Sequence, residues 1–240
     1  MNQGYYFAPH IHSDKLVFSC DDDLWLLEGS NTLAVRLTDA SGRASHPYFS
    51  PDGATIAYQA NDSGVSDIYL IETHGGEPSR LTHVGIDRLL GFKDSETLLF
   101  VSSHLAANRG MGEIYQLDLE TLSIHSMNTG PANRITFGNN KQVLLGRNCR
   151  DAARWKRYQG GTAGIFYIDL KGDGNFSQIL KNIGYNLTDP HILNEQLYFI
   201  SDHEGVANVY RSDLNGDDIC RVSNQTEFYA RNLSADTTTN

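Results

Sequence analysis

Residues 46–85 read HPYFSPDG-ATIAYQA-NDSGVS-DIYLIE-THGGE-PSRLTHVG: four short apolar or aromatic runs parted by Gly, Pro, Asp and Ser clusters. Runs of four to six residues rich in Ile, Tyr, Phe and Leu are strands, and the breaks between them are turns. The third run recurs as DLWLLE, DIYLIE, EIYQLD, IFYIDL and NVYRSD. It places an aromatic at Trp25, Tyr69, Tyr115, Tyr167 and Tyr210, at spacings of 44, 46, 52 and 43 residues. The second run recurs as KLVFS, TIAYQ, TLLFV, QVLLG and QLYFI. A period in the forties with four strands per unit predicts an all-β propeller of four-stranded antiparallel blades. The apolar runs are too short and too often interrupted for a helical stripe. The nearly continuous apolar second strands fit sheets covered on both faces.

Working outward, five such units fill about residues 7–230. The segment Leu233-Ser234-Ala235-Asp236-Thr237 aligns with the turn Phe49-Ser50-Pro51-Asp52-Gly53 of the second unit. The sequence therefore predicts five blades plus the start of a sixth, a six-bladed type. It further predicts one propeller domain over residues 1–240, an N-terminal fragment of a larger multidomain protein or a subunit completed by another chain.

Composition narrows the function. A net charge of −10 argues against nucleic-acid and anionic-membrane surfaces, both of which need a basic footprint. No apolar run approaches the ~20 residues of a membrane span. The N-terminus lacks the pattern of a secretory leader. The three cysteines, Cys20, Cys149 and Cys220, are far apart and without metal-ligand spacing. Together these features fit a reducing cytoplasm.

Candidate chemistry is sparse. Ser50 lies in the repeat turn rather than in a GxSxG elbow. His203-Glu204 lacks the second histidine of a zinc helix, and Asp213-Leu214-Asn215-Gly216-Asp217 lacks the sixth-position glycine and twelfth-position acid of a calcium loop. No glycine-rich phosphate loop is present, so no catalytic, metal or cofactor residue is assigned.

One loop departs from the repeat. The interval between the second- and third-strand markers is 7 from Phe18 to Trp25, 11 from Tyr58 to Tyr69, and 22 from Leu145 to Tyr167. This fourth-blade excursion carries Arg147, Arg150, Arg154, Lys156 and Arg157 beside Trp155 and Tyr158. Without those five cations the rest of the chain would carry −15. In an up-and-down blade this loop shares a face with the starts of first strands, near which His46, Arg88, Arg134, Asp189 and Arg231 stand. The sequence thus predicts a cationic rim for peptide carboxylates or a neighbouring domain. The competing reading has Trp155 folding the loop back onto its own blade while its cations meet acidic neighbours.

The SPDG turn at Ser50–Gly53, followed by IAY, DIYLIE and GGEPSRLT, resembles propellers of the TolB, prolyl-oligopeptidase and tricorn types. The stretch Trp155-Lys156-Arg157-Tyr158-Gln159-Gly160-Gly161 resembles more specifically the WKRYxGG segment of the N-terminal propeller of tricorn-family proteases. That resemblance implies a non-catalytic propeller of a large cytoplasmic, homo-oligomeric serine protease. Its partners would be peptides and the protease's remaining domains, and its role that of channel, filter and scaffold. The family's catalytic residues lie outside this chain. The alternative is a TolB-like module binding a protein or peptide partner.

Overall fold

The computed structural model describes residues 4–39, 42–62, 64–108, 110–184 and 186–235. They form twenty strands in five four-stranded antiparallel sheets. Blade one holds β1 (Phe7–His12), β2 (Lys15–Cys20), β3 (Asp23–Glu28) and β4 (Val35–Arg36). Blade two holds β5 (Ala44–Phe49), β6 (Thr55–Ala60), β7 (Asp67–Glu72) and β8 (Ser79–Arg80). Blade three holds β9 (Arg88–Phe92), β10 (Thr97–Ser102), β11 (Glu113–Asp118) and β12 (Ile124–Pro131). Blade four holds β13 (Arg134–Phe137), β14 (Val143–Arg147), β15 (Ile165–Asp169) and β16 (Ser177–Ile179). Blade five holds β17 (Leu187–Leu193), β18 (Gln196–Ser201), β19 (Asn208–Ser212) and β20 (Cys220–Arg221). Blades one to three belong to one compact unit and blades four and five to a second.

All five marker aromatics lie on third strands, each directly opposite its second-strand marker. The pairs are Phe18 with Trp25, Tyr58 with Tyr69, Phe100 with Tyr115, Leu145 with Tyr167, and Phe199 with Tyr210. Three of them stack at centroid distances of 5.6, 5.7 and 5.9 Å. Cross-strand aromatic pairs stabilise a sheet by about 0.2–1 kcal/mol each relative to alanine pairs, so they help fix the register.

The cores lie between consecutive blades of a unit. In the first unit Val17, Leu24, Phe49, Ile56 and Tyr58 form one cluster and Ile68, Leu89, Leu98, Phe100 and Leu117 another. In the second, Leu144, Phe166, Leu197, Phe199 and Tyr210 pack together. Such burial on both faces explains why the second strands lack a polar alternation.

The first strands share a device. β1, β5 and β17 each carry one extra residue, at Ala8, His46 and Asp189, with φ of 47°, 52° and 46°. Each of these residues precedes a proline, Pro9, Pro47 or Pro190. Proline has no N–H for the ladder, so the strand gives up pairing there and bulges.

A second device closes the outer edge. In blade two the buried Asp67 takes the Thr82 hydroxyl at 2.7 Å, and Thr82 Oγ1 in turn accepts the Ile68 amide at 3.0 Å. Arg80 Nη2 reaches the other Asp67 oxygen at 2.6 Å. Blade one repeats this with Asp23, Thr38 and Arg36, and blade five with Asn208 and Ser223.

The expected six-bladed type is overturned: the described residues make five blades. After β20, residues 222–235 form no strand. They run as a strap along blade five instead. The Ala230 amide donates to the Ala207 carbonyl at 2.9 Å, and Tyr229, Ala230 and Leu233 pack against Ile200 and Ala207. The Leu233 carbonyl meets His191 Nε2 at 2.9 Å. Backbone groups committed in this way are not those of a first strand opening a new sheet. Asp236 and Thr237, the other half of the supposed sixth turn, lie outside the described residues.

Candidate functional site

The fourth-blade excursion, residues 148–164 between β14 and β15, is fastened at both ends. Asn133, just ahead of β13, donates to the Cys149 carbonyl at 2.9 Å and accepts the Cys149 amide at 3.0 Å. At the far end the Gly164 carbonyl accepts the Leu187 amide at 3.2 Å, and a Cβ on Gly164 would strike the Leu187 carbonyl oxygen. Between them the Asp151 carboxylate caps a turn by accepting the Ala153 amide at 3.0 Å. The same carboxylate forms an ion pair with Arg231 from the strap.

The tip leans on blade five, not on its own blade. Asn186 Nδ2 donates to the Trp155 carbonyl at 2.7 Å, and the Arg157 amide donates to Oδ2 of Asp202. Arg157 adopts a φ of 52° to present that amide. Ala152 is buried against Ile200 and Ala207. Trp155 meets Tyr158 edge-on at 4.9 Å yet remains 44% exposed.

Most loop cations are seated on aromatic faces. Arg147 lies 4.8 Å from the Tyr167 ring, Arg150 4.9 Å from Trp155 and Lys156 4.9 Å from Tyr229. Such contacts are worth ~0.5–1 kcal/mol at exposed sites. The side chains of Arg154, Lys156 and Arg157 are exposed. Among the described residues the Arg154 guanidinium makes no hydrogen bond or ion pair.

The structure gathers Arg154, Lys156, Arg157 and Arg231 around this loop. Arg134 is buried and paired to the equally buried Asp189, at 2.9 Å. It also donates to the carbonyl of Asn133, the residue that clamps Cys149, at 2.7 Å. His46 and Arg88 belong to the first unit. His46 Nδ1 lies 3.2 Å from Ser45 Oγ, with its ring edge-on to Phe7, and Arg88 opens β9 opposite Val101.

The remaining polar candidates are occupied by turns. The Ser50 hydroxyl donates to Asp52 at 2.6 Å and accepts the Thr55 amide at 3.0 Å. That hydroxyl, with the Ala54 amide behind it, holds the Asp52 carboxyl below the usual range. Asp213 accepts the amides of Asp217 at 2.7 Å and Asn215 at 3.0 Å, which lower its pKa in the same way. Glu204 accepts the Tyr210 hydroxyl at 2.9 Å.

Sequence reasoning missed Asp202, Asn186 and Asn133, the polar groups that seat the loop. Asp202 is wholly buried, and burial raises its pKa against the opposing influence of the Arg157 amide and the neighbouring Asn186 amide. Its only visible signal was an acid directly after a second strand.

Consecutive four-stranded meanders with cores between neighbouring blades define a β-propeller. The chain belongs to the tricorn protease N-terminal β-propeller family, whose family model matches residues 3–239. It is 30% identical over 240 residues to the tricorn protease homolog of Saccharolobus solfataricus, covering 98% of this chain and 22% of that protein. The chain thus spans about a fifth of that relative's length. It is also 30% identical over 172 residues to the putative tricorn-like protease N-terminal subunit of Sulfurisphaera tokodaii, covering 69% of this chain and 87% of that one. The crystal structure of the tricorn protease superposes with a TM-score of 0.87 at 26% identity, over 96% of this chain and 23% of that chain.

Proposed function

We propose that this chain is the non-catalytic propeller of a tricorn-like, cytoplasmic serine protease. In this reading it guides peptides and holds the protease's other domains or subunits within a homo-oligomeric particle. One observation carries the reading: the family match runs through nearly every residue, loop and strap included. The Sulfurisphaera relative, of which 87% is covered, is named as a separate N-terminal subunit, which supports a scaffolding role for such a propeller. Peptide carboxylates or an acidic face of a neighbouring domain would meet Arg154, Lys156, Arg157 and Arg231. Arg134 is already engaged by the buried Asp189, and His46 and Arg88, in the other unit, are assigned no part in this rim. A guanidinium can grip a carboxylate through two parallel hydrogen bonds.

The test is the double substitution Arg154→Ala and Arg157→Ala, assayed for binding of acidic peptides and of the remaining protease domains. Binding is expected to weaken, with the loss largest at low salt, while the β-sheet circular dichroism stays unchanged. Unchanged binding at every salt concentration would remove the rim from the reading. A serine-reactive probe is expected to label no serine of the chain, and stoichiometric labelling would refute the non-catalytic role.

A further inference from the structure

Asp202 follows β18 directly, and its side chain is wholly enclosed beneath the 148–164 loop. One carboxylate oxygen receives the Arg157 amide, and the other, Oδ1, has no hydrogen-bond partner among the described residues. A buried carboxylate with an unmatched oxygen is far less content ionised than protonated. The loop residue capping it holds a left-handed backbone that side chains rarely adopt. We propose that the 148–164 loop is a proton-sensitive latch, seated firmly over Asp202 when that carboxyl carries a proton and loosened when it ionises.

Linkage fixes the sign. Lifting the loop returns Asp202 to water, which favours the carboxylate, so the lifted state holds the proton less tightly. Proton uptake therefore favours the seated loop, and rising pH favours lifting. Burial places the transition above the usual carboxylate range, over the opposing effects of the Arg157 amide and Asn186.

Other groups face Asp202. His203 follows it in its own turn with Glu204 beyond, Tyr210 lies on β19, Tyr229 on the strap with Lys156 over its ring, and Arg157 on the loop. Tyr210 and Tyr229 are raised by burial and stay neutral phenols, while Glu204 is held low by the Tyr210 hydroxyl and then by Arg221. Burial lowers His203, so its titration must be separated from that of Asp202. The latch stands on this geometry alone; only its bearing on peptide contact rests on the proposed function, since Arg154, Lys156 and Arg157 would move with the loop.

Trp155 reports the latch directly. In the full chain carrying Trp25→Phe it is the sole tryptophan, and acrylamide quenching can be followed from about pH 4 to about pH 7.5. Quenching is expected to rise with pH by about twofold at most, because Trp155 already exposes 44% of its surface. Asp202→Asn should flatten the profile, His203→Gln should leave it in place, and Arg157→Pro, which deletes the donor and forbids the left-handed φ that seats it, should hold quenching high throughout. A flat profile in the parent, one that survives Asp202→Asn or Arg157→Pro, or one abolished by His203→Gln would overturn the latch. Should Asp202→Asn fail to fold, the parent and Arg157→Pro profiles decide alone. Acidic-peptide binding measured in parallel separates the two ideas, since its absence beside an intact profile sinks only the proposed function.

Discussion

Blade two and blade four are built on one plan but settle their polar groups differently. In blade two the first turn and the third-strand acid are both satisfied inside the repeat. The Ser50–Asp52 turn closes on itself, and Asp67 is answered by Thr82, Arg80, and the Val84 and Gly85 amides. Blade four has no acid at the head of its third strand, where Ile165 stands, and its first strand pairs without a bulge. Its long loop finds partners on blade five instead: Asn186, Asp202, Leu187 and Arg231. The comparison teaches that the regular repeat keeps its acid and its turn for its own strands, whereas the irregular one spends its loop on bracing its neighbour.

The strongest way to break this contrast is Asp67→Ala. It leaves the Thr82 hydroxyl and the Val84 and Gly85 amides without their acceptor, while Arg80, partly exposed, can turn to water. Each buried group left unmatched costs about 1–3 kcal/mol. Urea unfolding should show the loss as a lower midpoint. A change no greater than that of an exposed substitution would mean that blade two is not held by this clasp.

A smaller effect is expected from the loop's hinge glycine. Gly164→Ala drives a Cβ into the backbone of Leu187, whereas Gly160→Ala meets only the Tyr158 side chain, which can swing away. Overpacking against backbone costs about 1–3 kcal/mol, so the first should destabilise and the second barely at all. Equal effects in thermal melts would show that the loop is not anchored at Gly164.

The smallest concerns Ser50→Ala, which deletes the two turn hydrogen bonds of its hydroxyl, each worth about 0.5 kcal/mol net at a turn open to water. Its sharper readout is the Asp52 titration by NMR. The Asp52 carboxyl is depressed by the Ser50 hydroxyl first, so its contribution is present above the unfolded-chain pKa and fades as pH falls through the lowered value. In the variant the titration should move up toward the ordinary range. An unmoved titration would assign the depression to the Ala54 amide.

The blades were legible because Trp25, Tyr69, Tyr115, Tyr167 and Tyr210 recur at nearly constant spacing, and side-chain pairing across strands enforces that spacing. The bulges are also written in the chain, as APHI, HPYF and DPHI at 8–11, 46–49 and 189–192, where a proline that cannot join the ladder follows the strand's opening residues. The supposed sixth blade failed for the opposite reason. LSADT imitates FSPDG in composition, yet the described strap, as far as Leu233, spends its backbone on Ala207 and His191. The partners of the loop were invisible. Nothing in SDHEG says that Asp202 faces inward, because its burial is created by residues some 45 positions earlier.

Phe18 faces Trp25 across a two-residue turn, and Leu145 faces Tyr167 across the whole 148–164 excursion, in the same register. Lengthening a flexible connection costs only ~0.6 kcal/mol per doubling, and the paired strands are indifferent to what joins them. This makes Gly160-Gly161 a natural graft point: a reporter peptide or affinity tag inserted there would ride on the blade without entering its sheet.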